Sequence, residues 1–348
     1  MSKVLIVIPV YNGVAEFLGD CLSSLINIDL PREKYDILAI DDCSADNSAA
    51  YIQKNFPTVF LIKNDFNRGF TGTNNIGLRY ALEHGYDYVY LLNQDTMVDA
   101  NFLAVALAQA KSDERIGAVQ SKLLLFHAKD KINSLGNVIH FLGFAYAGGY
   151  LSPDRMLAAG EITYPSGAAV LFKTKALRDV GLLNEEFYMY HEDVDLGWRL
   201  WLGGWKIMLA PQSIVYHKYE FSRSIQKYFF MERNRYLVLM QNYKIATLIL
   251  ILPALAAMAL AMLVYSFIAG WWRQELQVCR YFLKWQSWAK LMETRAQVQR
   301  KRRVKDRVIA NRFAGTVDFQ DLQNPLLKYL VNPAFNVYWQ IVKHLIWW

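Results

Sequence analysis

Several acids, amides and a histidine stand where an apolar run stops. Asp41 and Asp42 follow Ile37–Ile40, Asn93, Gln94 and Asp95 follow Tyr88–Leu92, and His217 follows Trp205–Tyr216. Moving a phosphorylated leaving group calls for a divalent cation held by few protein ligands, so that substrate and water complete its shell. A strand-end carboxylate such as Asp95 suits that role, and the His217 imidazole can join it. Asp-Asp-Cys-Ser-Ala-Asp-Asn-Ser from Asp41 is also good turn and helix-capping sequence. The alternative is that one of the two carboxylates accepts a hydrogen bond from a nucleobase imide while the other orients the loop. His191, Glu192 and Asp193 open a helical stretch, where clustered acids complement the helix dipole. At the mouth of a crevice Glu192 or Asp193 can equally deprotonate an attacking hydroxyl. Asp195 and Arg199, four apart, read as an ion pair.

These residues need elements to converge them. Val4–Val10, Ile37–Ile40, Val59–Ile62 and Tyr88–Leu92 read as strands, separated by helical spacing over Glu16–Ile28, Ala45–Phe56 and Thr73–His84. The alternation predicts an α/β fold with a doubly wound, mostly parallel sheet flanked by helices. Ligands of such sheets sit at the carboxyl ends of the strands, where Asn12, Asp41-Asp42, Asn64-Asp65 and Asn93-Gln94-Asp95 all fall. From Ile116 to Tyr164 the pattern is irregular and Gly-rich. Beyond it, strands are expected over Tyr164–Phe172 and Trp205–Tyr216, a helix within Asn184–Gly203 and another over Phe229–Asn242.

Bulk properties narrow the classes. The 348 residues are 54% hydrophobic, enough for one large α/β domain and an appendage. Three cysteines without CxxC spacing fit a reducing compartment and argue against a thiolate metal site. Lys3 precedes only Val4–Val10 before Tyr11-Asn12-Gly13, a strand rather than a secretory signal. A dinucleotide-binding dehydrogenase is disfavoured, since no G-x-G-x-x-G follows the first strand. The net charge of +7 is local: Arg273–Arg312 holds twelve Lys/Arg against three acids, hence +9. Just before it, the 27 residues 246–272 carry no charge, more than the roughly 20 that span a bilayer. Three domains are therefore expected: 1–245 catalytic, 246–272 membrane-associated (re-entrant near Pro253, or transmembrane), and 273–348 basic and aromatic on the membrane surface. Anionic lipid is the expected partner of that last region and nucleic acid is not.

The order of the motifs carries a resemblance. Val7-Ile8-Pro9-Val10-Tyr11-Asn12 and Ala39-Ile40-Asp41-Asp42-Cys43-Ser44 resemble the nucleotide-binding start of family-2 inverting glycosyltransferases with the GT-A fold. Asn67-Arg68-Gly69-Phe70 and Asn74-Asn75-Ile76-Gly77 resemble the rhamnosyltransferase and galactofuranosyltransferase branch. Leu92-Asn93-Gln94-Asp95-Thr96 occupies the place of the DxD metal motif, with Asn93 where its first acid would stand. Pro165-Ser166-Gly167-Ala168-Ala169 resembles the acceptor-side strand, and His191-Glu192-Asp193 the "ED" motif. His217, 24 residues after Asp193, resembles the branch's metal-ligand histidine.

The resemblance implies Asp193, with Glu192 beside it, as catalytic groups and Asp193 as the general base. It implies donor contacts from Pro9, Tyr11, Asn12, Asp41, Asp42, Asn67, Gly69, Asn74, Asn93, Gln94 and Arg233. Asp95 and His217 would hold Mg2+ or Mn2+, and Gly167, Ala168, His191 and Trp198 would face the acceptor. The donor would be a UDP- or dTDP-sugar, and the acceptor a glycan or polyprenyl-linked hydroxyl at the cytoplasmic membrane face. The QxxRW motif of processive synthases is missing, with only Glu232-Arg233-Asn234-Arg235-Tyr236 near its position, so non-processive transfer is expected. The rival readings are a sugar nucleotidyltransferase and an inactive scaffold of a glycan-assembly complex.

Overall fold

A computed structural model describes residues 3–14, 16–219, 225–317, 325 and 327–348. Val4–Val10 (β1), Tyr35–Asp41 (β2), Phe60–Lys63 (β3) and Tyr88–Leu92 (β4) form a parallel block in the order β3-β2-β1-β4. β1 and β4 are apolar almost throughout, as strands covered on both faces must be. Leu18–Ile26 (α1) buries Leu18, Cys21, Leu22 and Leu25, one stripe at helical spacing. Ser48–Asn55 (α2) and Gly69–Glu83 (α3) complete the alternation. α3 lies close on β1 because Gly77 has no Cβ: one built there would stand 2.3 Å from Cγ1 of Val7.

Beyond β4 the sheet turns mixed. Thr96–Val98 (β5) and Phe102–Lys111 (α4) lead into Ile116–Leu125 (β6), Ala128–Ser134 (β7), Asn137–Ile139 (β8), Ala145–Ala147 (β9) and Gly160–Glu161 (β10). Ala169–Lys173 (β11) lies antiparallel between β4 and β6, and is followed by Thr174–Val180 (α5), Glu192–Leu202 (α6) and Lys206–His217 (β12). β12 runs parallel to β6 with a register shift between Ala210 and Ile214, around Pro211, which cannot donate to a ladder. Its outer edge pairs with β10 in the first half and β5 in the second. The expected parallel block is thus real, and the irregular Ile116–Tyr164 stretch supplies most of the antiparallel remainder.

Two compact units divide the chain. The first holds 1–137, 147–200 and 205–220, and the second 138–146, 201–204 and 221–348. Ile225–Asn242 (α7) belongs to the second unit. The second unit continues with Ile245–Ile268 (α8), Trp272–Phe282 (α9), Trp285–Lys301 (α10), Asp306–Ala310 (α11) and Asn332–Leu345 (α12). α8 runs through Pro253 without a break, so the expected re-entrant bend there does not occur.

Glu232-Arg233-Asn234-Arg235 of α7 are buried in this second unit. Arg235 bonds both oxygens of Glu232 and the carbonyl of Leu142. Arg233, expected at the donor, lies among the rings of Phe229, Phe230 and Tyr281. A cation enclosed by rings of its own unit is packed as a structural element.

In the first unit, α6 is pinned by Arg199. Its Nε donates to Asp195 Oδ2 at 2.8 Å, and its two other nitrogens reach the carbonyls of Val180, Gly181 and Leu182. Arg199→Leu takes the guanidinium from the buried Asp195 carboxylate, and is expected to cost about 3–5 kcal/mol of stability, measured by chemical denaturation. Loss under about 1 kcal/mol would show that water replaces the guanidinium.

Candidate active site

The two acids ending β2 have separate fates. Asp42 accepts from Asn64 Nδ2 (2.8 Å), Arg68 N (2.8 Å) and Gly69 N (3.0 Å), and so ties the 64–69 loop to the strand. Asp41 accepts only a long bond from Ser44 N (3.3 Å), and its buried Oδ1 takes none from any described residue. Asp42 shapes the loop and Asp41 is left free to recognise something.

The other donor-side residues divide the same way. Asn12, at positive φ, accepts from Ala45 N at 2.8 Å and donates its own N–H to Ser44 Oγ. Gln94 bridges both backbone groups of Tyr11, whose ring is half exposed. Asn67 Oδ1 accepts from Gly69 N (3.0 Å) and from the hydroxyl of Tyr188 (2.6 Å). Gly69 has φ +70, and a Cβ there would stand 2.4 Å from the Tyr188 ring, so that position needs glycine twice over. Asn74 is buried in α3, its Nδ2 donating to Phe70 O while its Oδ1 has no hydrogen bond among the described residues, and Pro9 is half-buried within β1.

On the other side, β5, β7 and the end of β12 build a polar pair. β5 zips antiparallel to the end of β12, setting Thr96 opposite His217 and Asp95 beside it. Asp95 Oδ1 stands 3.3 Å from His217 Nε2, yet makes no hydrogen bond within the described residues. His217 Nδ1 meets Asn133 Oδ1 of β7 at 2.9 Å. An amide oxygen only accepts, so Nδ1 carries a proton, and in the neutral ring Nε2 faces Asp95 with its lone pair. Asn93 Oδ1 is also buried without a partner. Facing acceptors with no proton between them fit a cation. Among the described residues no cluster of three or more His, Cys, Asp or Glu is found, so this pair alone would leave most positions of a cation's shell to other groups.

A third group sits one strand away. Asn93 N donates to Ala168 O (3.0 Å), and the next turn residue, Gly167, directs its N–H at Asp193 Oδ2 (3.4 Å). Asp193 Oδ1 accepts from Val194 N (2.8 Å) at the start of α6. Burial raises the Glu192 carboxyl, and the neighbouring Asp193 charge raises it further. Burial raises Asp193 as well, against the backbone N–H groups that hold its anion. Glu192 is the more enclosed of the two, with Oε2 unpaired, while Asp193 is half-buried. Leading into them, Tyr188, Tyr190 and His191 all take left-handed φ (64°, 66° and 66°), costly for side chains of that size. Trp198, expected at the acceptor, is 1% exposed and offers it no surface. Ala168 is likewise buried, and contributes its carbonyl.

The glycosyl transferase family 2 profile matches residues 5–181, just over half the chain. The chain is a family-2 glycosyltransferase. This glycosyltransferase is 32% identical over 205 residues to a poly-β-1,6-N-acetyl-D-glucosamine synthase of Staphylococcus aureus, covering 58% of the chain and 47% of the relative. The Staphylococcus epidermidis synthase is 30% identical with the same coverage. The chain thus spans about half the length of these curated relatives. Among solved structures, GalNAc-T7 with UDP, GalNAc and Mn2+ has TM-score 0.55 at 16% identity, over 69% of this chain and 48% of that one. TarS 1–349 of S. aureus with UDP has TM-score 0.51 at 16% identity, over 98% and 90%. The mannosyltransferase PcManGT of Pyrobaculum calidifontis with GDP-Man and Mn2+ has TM-score 0.51 at 15% identity, over 86% of each. At such identities the structural likeness shows the GT-A fold alone.

Two residues of the glycosyltransferase's site escaped sequence reading. Asn133 lies 84 positions from His217, in the stretch without periodicity, and only the β6–β7 pairing brings it in. Tyr188 gave no signal beyond its nearness to the acids, although its carbonyl accepts from Thr71 N and its hydroxyl binds Asn67.

A raised carboxyl contributes stability below its ordinary pKa and loses it as pH rises through the folded value. Glu192→Gln should therefore match the parent in Tm below pH 4.5, glutamate's ordinary value. It should become progressively more stable than the parent at higher pH, and a pH-independent gap would contradict the assignment. Asn133→Ala frees the His217 tautomer and is expected to weaken Mn2+ affinity of the nucleotide-bound protein about tenfold, read by calorimetry. Unchanged affinity would show that the ring is held by other means.

Proposed function

We propose that the chain transfers a sugar from a nucleotide-diphospho-sugar to an acceptor hydroxyl with inversion of configuration. The supporting observation is the hydrogen-bonded link from Asn93 through Ala168 and Gly167 to Asp193, which ties the cation pair to the raised carboxyl. Asp41 Oδ1, lacking a donor, accepts the imide N–H of the nucleobase, and the Tyr11 ring covers the nucleoside. Asp95 and His217 would hold Mg2+ or Mn2+, which when bound would supply positive charge for the departing diphosphate. Asp193 takes the proton of the acceptor hydroxyl as its oxygen attacks the anomeric carbon from the face opposite the nucleotide. Its raised pKa strengthens it as a base and places the acid limb of the rate profile above the ordinary aspartate value of 3.8.

The motif order favours a UDP- or dTDP-sugar and the rhamnosyl- or galactofuranosyl-transferring branch, with one or a few sugars added per acceptor. A second reading, extension of a polysaccharide, is favoured by the 30–32% identity to the poly-β-1,6-N-acetyl-D-glucosamine synthases. Product length on a defined acceptor separates the two. The apolar α8 favours work at the cytoplasmic face of a membrane, on a glycan or polyprenyl-linked acceptor.

Asp193→Asn is expected to lower turnover at least 10³-fold, the upper part of the range for a lost base, while nucleotide affinity stays within about twofold. Calorimetry with UDP, dTDP and GDP beside a turnover assay reads both. Equal loss of binding and turnover would remove Asp193 from the role of base.

A further inference from the structure

α8 is long enough to cross a bilayer, but its surroundings within the second unit are those of a helix lying flat. Ile245, Ile249, Leu252, Leu260, Val264 and Phe267 form one exposed stripe along its length. The opposite side of its first part, Thr247, Ile251, Ala254 and Met258, is buried against protein, while towards its end Tyr265 and Ile268 are exposed as well. α12 lies on it in the reverse direction, with the Tyr338 hydroxyl on Leu250 O and Trp348 Nε1 on Thr247 Oγ1 at 2.9 Å. The outer side of α12 repeats the pattern with Val337, Ile341 and Leu345.

The neighbours of the two ends of α8 decide between crossing and lying flat. Just before α8, the carbonyls of Asn242 and Tyr243 accept from Gln299 (3.1 Å) and Arg295 (2.7 Å) of α10, and Asp306 binds Lys244 N and Thr247 Oγ1. Just after it, the Trp271 ring meets that of Tyr228 at the start of α7, tilted and with centroids 4.2 Å apart, and the Tyr228 hydroxyl donates to Glu275 of α9. α7 therefore reaches from one end of α8 to the other, and α9–α10 returns along the same path. A crossing would draw both through the hydrocarbon with Glu232, Arg235 and the exposed Lys290 and Glu293, which the bilayer interior opposes.

We propose that α8 and α12 seat the protein in the plane of one leaflet, their exposed stripes among acyl chains. The occupant is an anionic bilayer. Beside the stripes, exposed Leu283, Trp285 and Met292 alternate with exposed Arg273, Arg280, Lys284 and Lys290, the pairing of apolar wedge and cation that anionic headgroups receive. The inference rests on the membrane location proposed above and is independent of the sugar chemistry.

Cys43 and Cys279 are exposed, lie on either side of α8 in the chain, and serve as natural reporters. In sealed inside-out vesicles from cells making the full chain, an impermeant maleimide should label both without opening the vesicles. An Arg303→Cys reporter in a Cys279→Ser chain should behave as Cys279 does. Labelling of the later site only after the vesicles are opened would overturn the flat arrangement. In flotation with phosphatidylcholine–phosphatidylglycerol vesicles, Ile249→Glu/Leu260→Glu should weaken binding at least about tenfold with unchanged circular dichroism. Undiminished flotation, or a soluble dimer that these changes merely split, would overturn the face assigned. A parent chain that does not float at all would sink the membrane location itself and leave the glycosyltransferase reading standing.

Discussion

Three residues of strand, Thr96–Val98, determine where the candidate chemistry can occur. By pairing antiparallel with the end of β12 they bring two chain positions more than a hundred residues apart within 3.3 Å, as Asp95 and His217. β12 can present His217 there because it runs parallel to β6 through the shift around Pro211, and β7 on β6 then supplies Asn133 to the far ring nitrogen. A slip of one residue would turn every side chain of β5 to the opposite face. The buried Ser121–Ser213 and Ser213–Phe102 hydrogen bonds lock this part of the sheet against such a slip.

Around that pair, satisfied and unsatisfied polar groups are sharply sorted. Asp42 carries three hydrogen bonds, Asn67 two from one oxygen, and Gln94 both backbone groups of Tyr11. Hydrogen bonds to a charged group contribute about 1.5–3 kcal/mol each, so these residues hold the loops. Asp41 Oδ1, Asn93 Oδ1, Asp95 Oδ1 and Glu192 Oε2 are buried without partners among the described residues. Buried polar atoms left open are costly and few in folded proteins. Asp41, Asn93 and Asp95 hold theirs at the ends of β2 and β4, and Glu192 at the start of α6, where a ligand's donors or a cation could meet them.

Much of this was legible because it is local. Strand–helix alternation follows from residue periodicity, and every candidate at the end of β1, β2 or β4 was found by where an apolar run stopped. What the sequence hid depends on pairing at a distance. The antiparallel half of the sheet grew from a stretch with no periodicity, and Asn133 came with it. Arg233 was expected at the donor from its motif position alone, which gave no sign of the rings of Phe229, Phe230 and Tyr281 that surround it. Trp198 sits buried on α6, and motif position alone does not say which side of a helix faces in.

The central claim is that Asp95 and His217 share a cation only when a nucleotide diphosphate completes its shell. Electron spin-echo spectroscopy of Mn2+ with the protein and UDP tests it directly. One imidazole nitrogen should couple to the manganese in the ternary complex, and the coupling should vanish in His217→Gln or when UDP is omitted. A nitrogen signal that survives His217→Gln, or none in the parent complex, would contradict the account.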